Sequence, residues 1–150
     1  MRRIIGASGF GSSHRVTRYV RTLLRDAPHN VQFAGYRPGS ALAEEFRRAH
    51  IFSCPSVWEE PFGLVNVEAM ASGLASVSTR SGGIPEIFAE GGGILVNPNS
   101  GEELAAALER LITDDALRLK IGRDAYQNFK RNFTWRSVHK RYGELLASLP

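Results

Sequence analysis

The chain has one cysteine, Cys54, in 150 residues, which excludes an internal disulfide and makes a reducing cytosol its simplest home. It has no apolar run near the roughly 18 residues that a membrane span needs. Its first residues lack the apolar stretch of a secretory leader, because Arg2, Arg3, Ser12, Ser13 and His14 interrupt it. The histidines His14, His29, His50 and His139 share no metal-ligand spacing with one another or with Cys54, so no zinc site is expected. Acids are missing from the first 25 residues, where Arg2, Arg3, Arg15, Arg18, Arg21 and Arg25 gather. Aromatic residues are not interleaved with those arginines, and no nucleic-acid partner is expected.

What is present is ordinary in proportion. Hydrophobic residues make up 43% and charged residues 23%, and residues 1–150 suit one domain with a single core. The net charge of +4 is carried mainly by arginine. Such a surface attracts nucleotide phosphates or an anionic membrane face, which leaves peripheral membrane association open. A solvated helix face, or a surface that meets a partner, has the same composition.

Short apolar runs alternate with amphipathic stretches, the pattern of an α/β domain with a mainly parallel sheet. Strands are expected at Ile4–Ala7, Val31–Ala34, Ile51–Cys54, Leu74–Ser78 and Ile94–Val96. Helices are expected at Arg15–Leu24, Ala41–Ala49 and from Leu64 to near Gly73, which suits the left-handed position after a helix end. Beyond Pro98 the chain reads as helix only. Leu104, Ala107, Leu108, Leu111 and Ile112 form one buried stripe of Glu102–Ile112, and Leu117–Phe129 and Arg136–Leu149 follow, the last with Thr134 as N-cap. Cys54 ends a strand and reads as a small core residue rather than a nucleophile.

The most informative segment runs from Pro55 to Gly73. Glu60 and Glu68 flank a Pro61-Phe62-Gly63 turn that opens an Ala/Met-rich helix. A helix start offers unpaired N–H groups and a positive dipole end to an anion. Carboxylates beside it are suited to accept hydrogen bonds from hydroxyls. Phosphate against the backbone and hydroxyls against the acids describe a nucleotide-sugar. Taken singly, Glu60 is a solvated loop acid, Glu68 a first-turn acid favoured by the dipole, and Pro61 and Gly63 turn punctuation.

Taken together, Glu60-Pro61-Phe62-Gly63-Leu64-Val65-Asn66-Val67-Glu68-Ala69-Met70-Ala71-Ser72-Gly73 resembles the donor-binding motif of the family 4 glycosyltransferases, two glutamates separated by seven residues. Asn30–Tyr36, Gly82–Ile87 and Phe133–Trp135 are similar to further segments of that family, in order, so the resemblance covers nearly the whole chain. It implies a Rossmann-like parallel sheet with flanking helices and a C-terminal helical tail, one half of a GT-B fold. It also implies that Glu68 binds the ribose hydroxyls and that Glu60 binds the donor sugar and assists catalysis. The N–H groups of Phe62, Gly63 and Leu64 would contact sugar and phosphates, and Gly35 and Tyr36 would meet the base. The implied reaction is retaining transfer from a nucleotide-diphosphate sugar without a bound metal or other cofactor, in the cytoplasm, and no Asp-x-Asp motif is present.

The chain departs from the family at its start. A family member carries an earlier strand and a Gly-Arg…Lys-Gly loop whose cations bind the diphosphate, and an N-terminal acceptor domain before them. No copy of either is expected here. Without those cations the developing negative charge on the leaving group loses its stabilisation, so the isolated chain should be weakly active or inactive. Two readings follow: the donor half of a transferase that joins its N-terminal domain in cis or in trans, or a stand-alone nucleotide-sugar binding module.

A nicotinamide-dependent oxidoreductase is the rival. Gly6–His14 follows a strand, and Tyr126 and Lys130 supply a Tyr-x-x-x-Lys. The glycine spacing is not that of a dinucleotide loop, however, and Gly35 rather than an acid follows Val31–Ala34.

Overall fold

Parallel strands are laid down in sequence order: β1 (Ile4–Gly6), β2 (Ile51–Cys54), β3 (Ala75–Thr79) and β4 (Gly93–Val96). The computed structural model describes residues 3–6, 22 and 25–149. Registers pair Ile5 with Phe52, Ser53 with Val77 and Ser78 with Leu95. Among the described residues Thr22, Arg25 and Asp26 are helical, and the helices that follow are α1 (Gly39–Arg48), α2 (Leu64–Ala71), α3 (Ile84–Ile87), α4 (Gly101–Thr113), α5 (Asp115–Asn132) and α6 (Trp135–Ala147). The expected helix over Arg15–Leu24 and the Gly/Ser loop before it lie outside the described residues, apart from Gly6 and Thr22.

The expected strand Val31–Ala34 is not formed. Those residues carry no regular structure, and Val31 and Phe33 are about half exposed, at 48% and 50%. Their alternation of apolar and polar residues suits a strand, but a strand requires a ladder partner, and β1 pairs with β2 instead. Val31 donates its N–H locally to the Pro28 carbonyl at 2.9 Å.

Both sheet faces are covered, which is why β2 and β3 are buried at every position. Ile51, Val77 and Val96 pack with Ala107 and Leu111 of α4. On the other face Phe52 and Cys54 meet Phe46 and Ala69, with the Phe46 and Phe52 rings edge to face at 5.8 Å. Met70, Ile84, Ile87, Phe88 and Ala125 make a third cluster, joining α2, α3 and α5.

The helix ends follow from their capping residues. Ser100, Asp114 and Thr134 accept hydrogen bonds from Glu103, Leu117 and Ser137 N–H. The buried Arg118 guanidinium joins α4 to α5 by donating to the Leu111 carbonyl and pairing with Asp115, both at 2.8 Å. Asn128, also buried, donates to the Ile87 and Gly91 carbonyls at 3.1 and 3.0 Å, tying α5 to the segment after α3. Helix α6 buries none of its residues and leaves Tyr142, Leu145 and Leu146 exposed.

Helix α5 crosses the end of α2 at Gly122, where a Cβ would run into the Gly73 carbonyl oxygen. Gly122→Ala gains helix propensity of about 1 kcal/mol but forces a backbone carbonyl to move, and overpacking costs about 1–3 kcal/mol. The net expectation is a loss of up to about 2 kcal/mol, read as a lower urea midpoint with an unchanged slope.

Candidate functional site

The loops that leave the C-terminal ends of the inner strands β2 and β3 lie against each other, at the end of the strands where ligands bind in open α/β sheets. Thr79 Oγ1 donates to the Ser56 carbonyl at 2.6 Å, and Ser81 Oγ donates to the Trp58 carbonyl. Gly82 N–H donates to Glu59 Oε2 at 2.9 Å, and Gly83 N–H to the Glu60 carbonyl at 2.8 Å. These bonds join residues 23 apart in sequence into one unit.

Glycine makes that contact possible. A Cβ on Gly82 would lie 2.6 Å from the Glu60 nitrogen and 2.8 Å from its carbonyl carbon, and one on Gly83 would lie 2.6 Å from the Pro61 oxygen. Gly82 also has φ +53, a left-handed conformation. The Gly82-Gly83 pair is therefore the bed on which the Glu60 loop rests.

From that bed the chain turns into α2. Gly63 is the N-cap residue with φ +87, and a Cβ there would meet Asn66 Nδ2 at 2.8 Å. Asn66 is fully buried; its Nδ2 donates to the Gly63 carbonyl at 3.3 Å, and its Oδ1 accepts from Ser78 Oγ at 2.7 Å. The turn is pinned to β3 through this side chain. From the other side, the Phe62 and Phe133 rings meet edge to face at 6.2 Å.

The expected site residues divide into two groups. Glu60, Phe62, Gly63 and Leu64 form one continuous turn, and the Glu60 stem lies 3.4 Å from where a Gly63 Cβ would stand. Among the described residues no acceptor takes the N–H groups of Phe62, Gly63 or Leu64, as befits a helix start. Leu64 and Glu68 are both exposed, one turn apart on the same side of α2, while Asn66, Ala69 and Met70 face inward. Glu60 is half-buried, and its Oε2 accepts the Trp58 indole N–H at 3.1 Å. Gly35 (φ +69) and Tyr36 stand apart: Tyr36 is 70% exposed, and no hydrogen bond, ion pair or ring contact of the described residues ties it to the Glu60–Gly73 segment.

Two residues escaped the sequence reading, Trp58 and Asn66. Asn66 had a signal, a polar residue in the inward stripe of an otherwise apolar helix. Cys54 lies behind the turn, 5% exposed, with its sulfur 3.6 Å from Ser56 Oγ. Burial pushes its thiol pKa up, which keeps it protonated and poorly nucleophilic. Tyr126 and Lys130 form a packing pair on α5, with Lys130 Nζ 5.7 Å from the ring centroid and Tyr126 stacked on Phe129.

Sheet, helices and loop placement define a Rossmann-like α/β domain of the kind found in glycosyltransferases of the GT-B fold. The profile of the family Glycosyl transferases group 1 matches residues 3–128, and the chain belongs to that family. It is 39% identical over 116 residues to the D-inositol 3-phosphate glycosyltransferase of Corynebacterium glutamicum (strain R), an alignment covering 77% of this chain and 27% of the relative. The enzyme of the same name from Corynebacterium aurimucosum is 36% identical over 147 residues, 95% of this chain and 33% of the relative. HepE of Anabaena, solved in complex with UDP, superposes with a TM-score of 0.79 at 28% identity over 99% of this chain and 41% of that one. Its complex with UDP-glucose matches with a TM-score of 0.77 at 27% identity, over 99% and 41% of the two chains. The chain thus spans about a quarter to a third of the length of these curated relatives, 27% and 33%. Among its described residues no helix is long and apolar enough to cross a membrane.

Proposed function

We propose that this chain is the nucleotide-sugar-binding half of a family 4 glycosyltransferase. The observation that carries the proposal is the locked turn at Glu60–Leu64, which presents a carboxylate and a row of open N–H groups beside an outward-facing Glu68. The diphosphate lies against the N–H groups of Phe62, Gly63 and Leu64, where the dipole of α2 favours negative charge. Glu68 accepts from the ribose hydroxyls. Glu60 accepts from the sugar hydroxyls and, as the catalytic carboxylate, offsets positive charge developing at the anomeric carbon. Gly35 and Tyr36 meet the base.

The overall reaction in this reading is retaining and needs no metal, and the acceptor is chosen by an N-terminal domain supplied in cis or in trans. In this reading Tyr142, Leu145 and Leu146, exposed on α6, offer that domain an apolar surface. The protein works in the cytoplasm, with its basic surface allowing peripheral contact with an anionic membrane. HepE bound to UDP and UDP-glucose, over nearly the whole of this chain, supports the choice of ligand class.

Calorimetry with UDP, GDP and ADP and with their glucose conjugates is the test. One diphosphate is expected to bind, and Glu68→Ala to weaken it about tenfold, the size of a lost charge-assisted hydrogen bond. Glu60→Ala should weaken the sugar conjugate about fivefold or more while leaving the bare diphosphate within about twofold. Failure of every diphosphate to bind at millimolar concentration would remove the donor-site reading.

A further inference from the structure

The geometry points to Trp58 as a positioning residue at the sugar end of the site, acting through Glu60; the inference rests on the donor-site reading above. Trp58 is 53% exposed, so the core does not account for its position. Its indole N–H donates to Glu60 Oε2 at 3.1 Å, and among the described residues this is the side-chain hydrogen bond that the Glu60 carboxylate makes. Trp58 is itself held at the main chain, because Ser81 Oγ donates to its carbonyl. The neighbouring acid, Glu59, is committed to Gly82 N–H at 2.9 Å, so the two adjacent carboxylates have separate partners.

A carboxylate on a flexible stem loses rotamer freedom when it captures a ligand hydroxyl. An indole is rigid and donates a single hydrogen bond along a fixed direction. Bonded to Oε2, it fixes the plane of the Glu60 carboxylate before ligand arrives and leaves Oε1 free to accept from a hydroxyl. The ligand class is the glycosyl group of a nucleotide-diphosphate sugar. The bare diphosphate does not use this contact.

The test is a double-mutant cycle on the full chain, using whichever of UDP-, GDP- and ADP-glucose binds best and its bare diphosphate. Trp58→Phe keeps an aromatic ring and removes the N–H. It should weaken the sugar nucleotide about three- to tenfold and leave the bare diphosphate within about twofold. In a Glu60→Ala background the same substitution should change neither ligand, because the indole acts through the carboxylate. As an exposed-site change it should move the melting temperature by no more than about 3 °C.

The chain has two tryptophans, and Trp135, 79% exposed at the start of α6, is the other. In a Trp135→Phe background, Trp58 emission should respond to the sugar nucleotide, and that response should disappear with Glu60→Ala. An unchanged preference for sugar nucleotide over diphosphate in Trp58→Phe overturns the assignment. So does an effect of equal size in the Glu60→Ala background, which would put the indole directly on the ligand. Absence of binding by every diphosphate to the unaltered chain removes the donor-site reading itself, and this inference with it.

Discussion

Gly82→Ala is expected to destabilise the chain by about 3 kcal/mol or more and to abolish sugar-nucleotide binding where folded protein remains. Two costs add. An L-residue with a left-handed backbone costs about 1–2 kcal/mol, and Gly82 has φ +53. The new Cβ would also fall 2.6 Å from the Glu60 nitrogen, against main-chain atoms that cannot rotate away. Either Gly82 or the Glu60 loop must move, and both moves break the Gly83 N–H bond to the Glu60 carbonyl.

Gly91→Ala separates those costs. Gly91 has φ +91, yet nothing lies within 4 Å of where its Cβ would stand. It carries strain without collision, and about 1–2 kcal/mol is expected. Urea denaturation of both variants gives the difference attributable to the contact between the loops. Binding is then measured on the Gly82→Ala protein at a temperature where it stays folded. Equal losses of stability, or retained sugar-nucleotide affinity in Gly82→Ala, would show that the two loops are not a coupled unit.

The collision explains why one part of the site was legible in the sequence and another was not. Glu60, the Pro-Phe-Gly turn, the α2 start and Glu68 are consecutive, so their spacing and the period of the helix place them without long-range information. The helices after Pro98 were legible for the same reason, Glu102–Ile112 from its apolar stripe and the last helix from its Thr134 cap. The Gly82-Gly83 pair lies in a segment that resembles the family's, but its partner is the main chain of Glu60, 22 residues before Gly82, and no local pattern marks a backbone-to-backbone approach. Val31–Ala34 failed in the opposite sense. Its apolar alternation is a local signal for a strand, whereas strand formation is decided by a ladder with another part of the chain. Gly35 and Tyr36 inherit that difference, since the loop they occupy is not set against the sheet by a preceding strand.

Asn66→Ala is expected to cost about 2–4 kcal/mol, a large effect for the loss of an amide. The side chain is fully buried and spends its donor on the Gly63 carbonyl and its acceptor on Ser78 Oγ. Truncation leaves a small cavity under the turn and strands the Ser78 hydroxyl in the interior, where an unpaired polar group costs about 1–3 kcal/mol. Asn66→Asp tests the donor separately. It keeps an acceptor for Ser78 but brings a carboxylate into a buried site against the Gly63 carbonyl, so it should fold worse than Asn66→Ala at neutral pH and improve as acid neutralises it. The sign follows from burial, which favours the protonated carboxyl in the folded state. Adding Ser78→Ala to Asn66→Ala should return about 1 kcal/mol, because both members of the hydrogen bond are then absent. Stability alone would make Asn66 a core residue that happens to be polar. Its connection to Gly63 predicts more. With the turn unpinned, the N–H groups of Phe62, Gly63 and Leu64 lose their common direction, and diphosphate affinity should fall in Asn66→Ala and stay low in the double variant although stability partly returns. Diphosphate affinity that instead recovers in step with stability would reduce Asn66 to packing and leave the turn to be held by Phe62, Phe133 and the glycine bed.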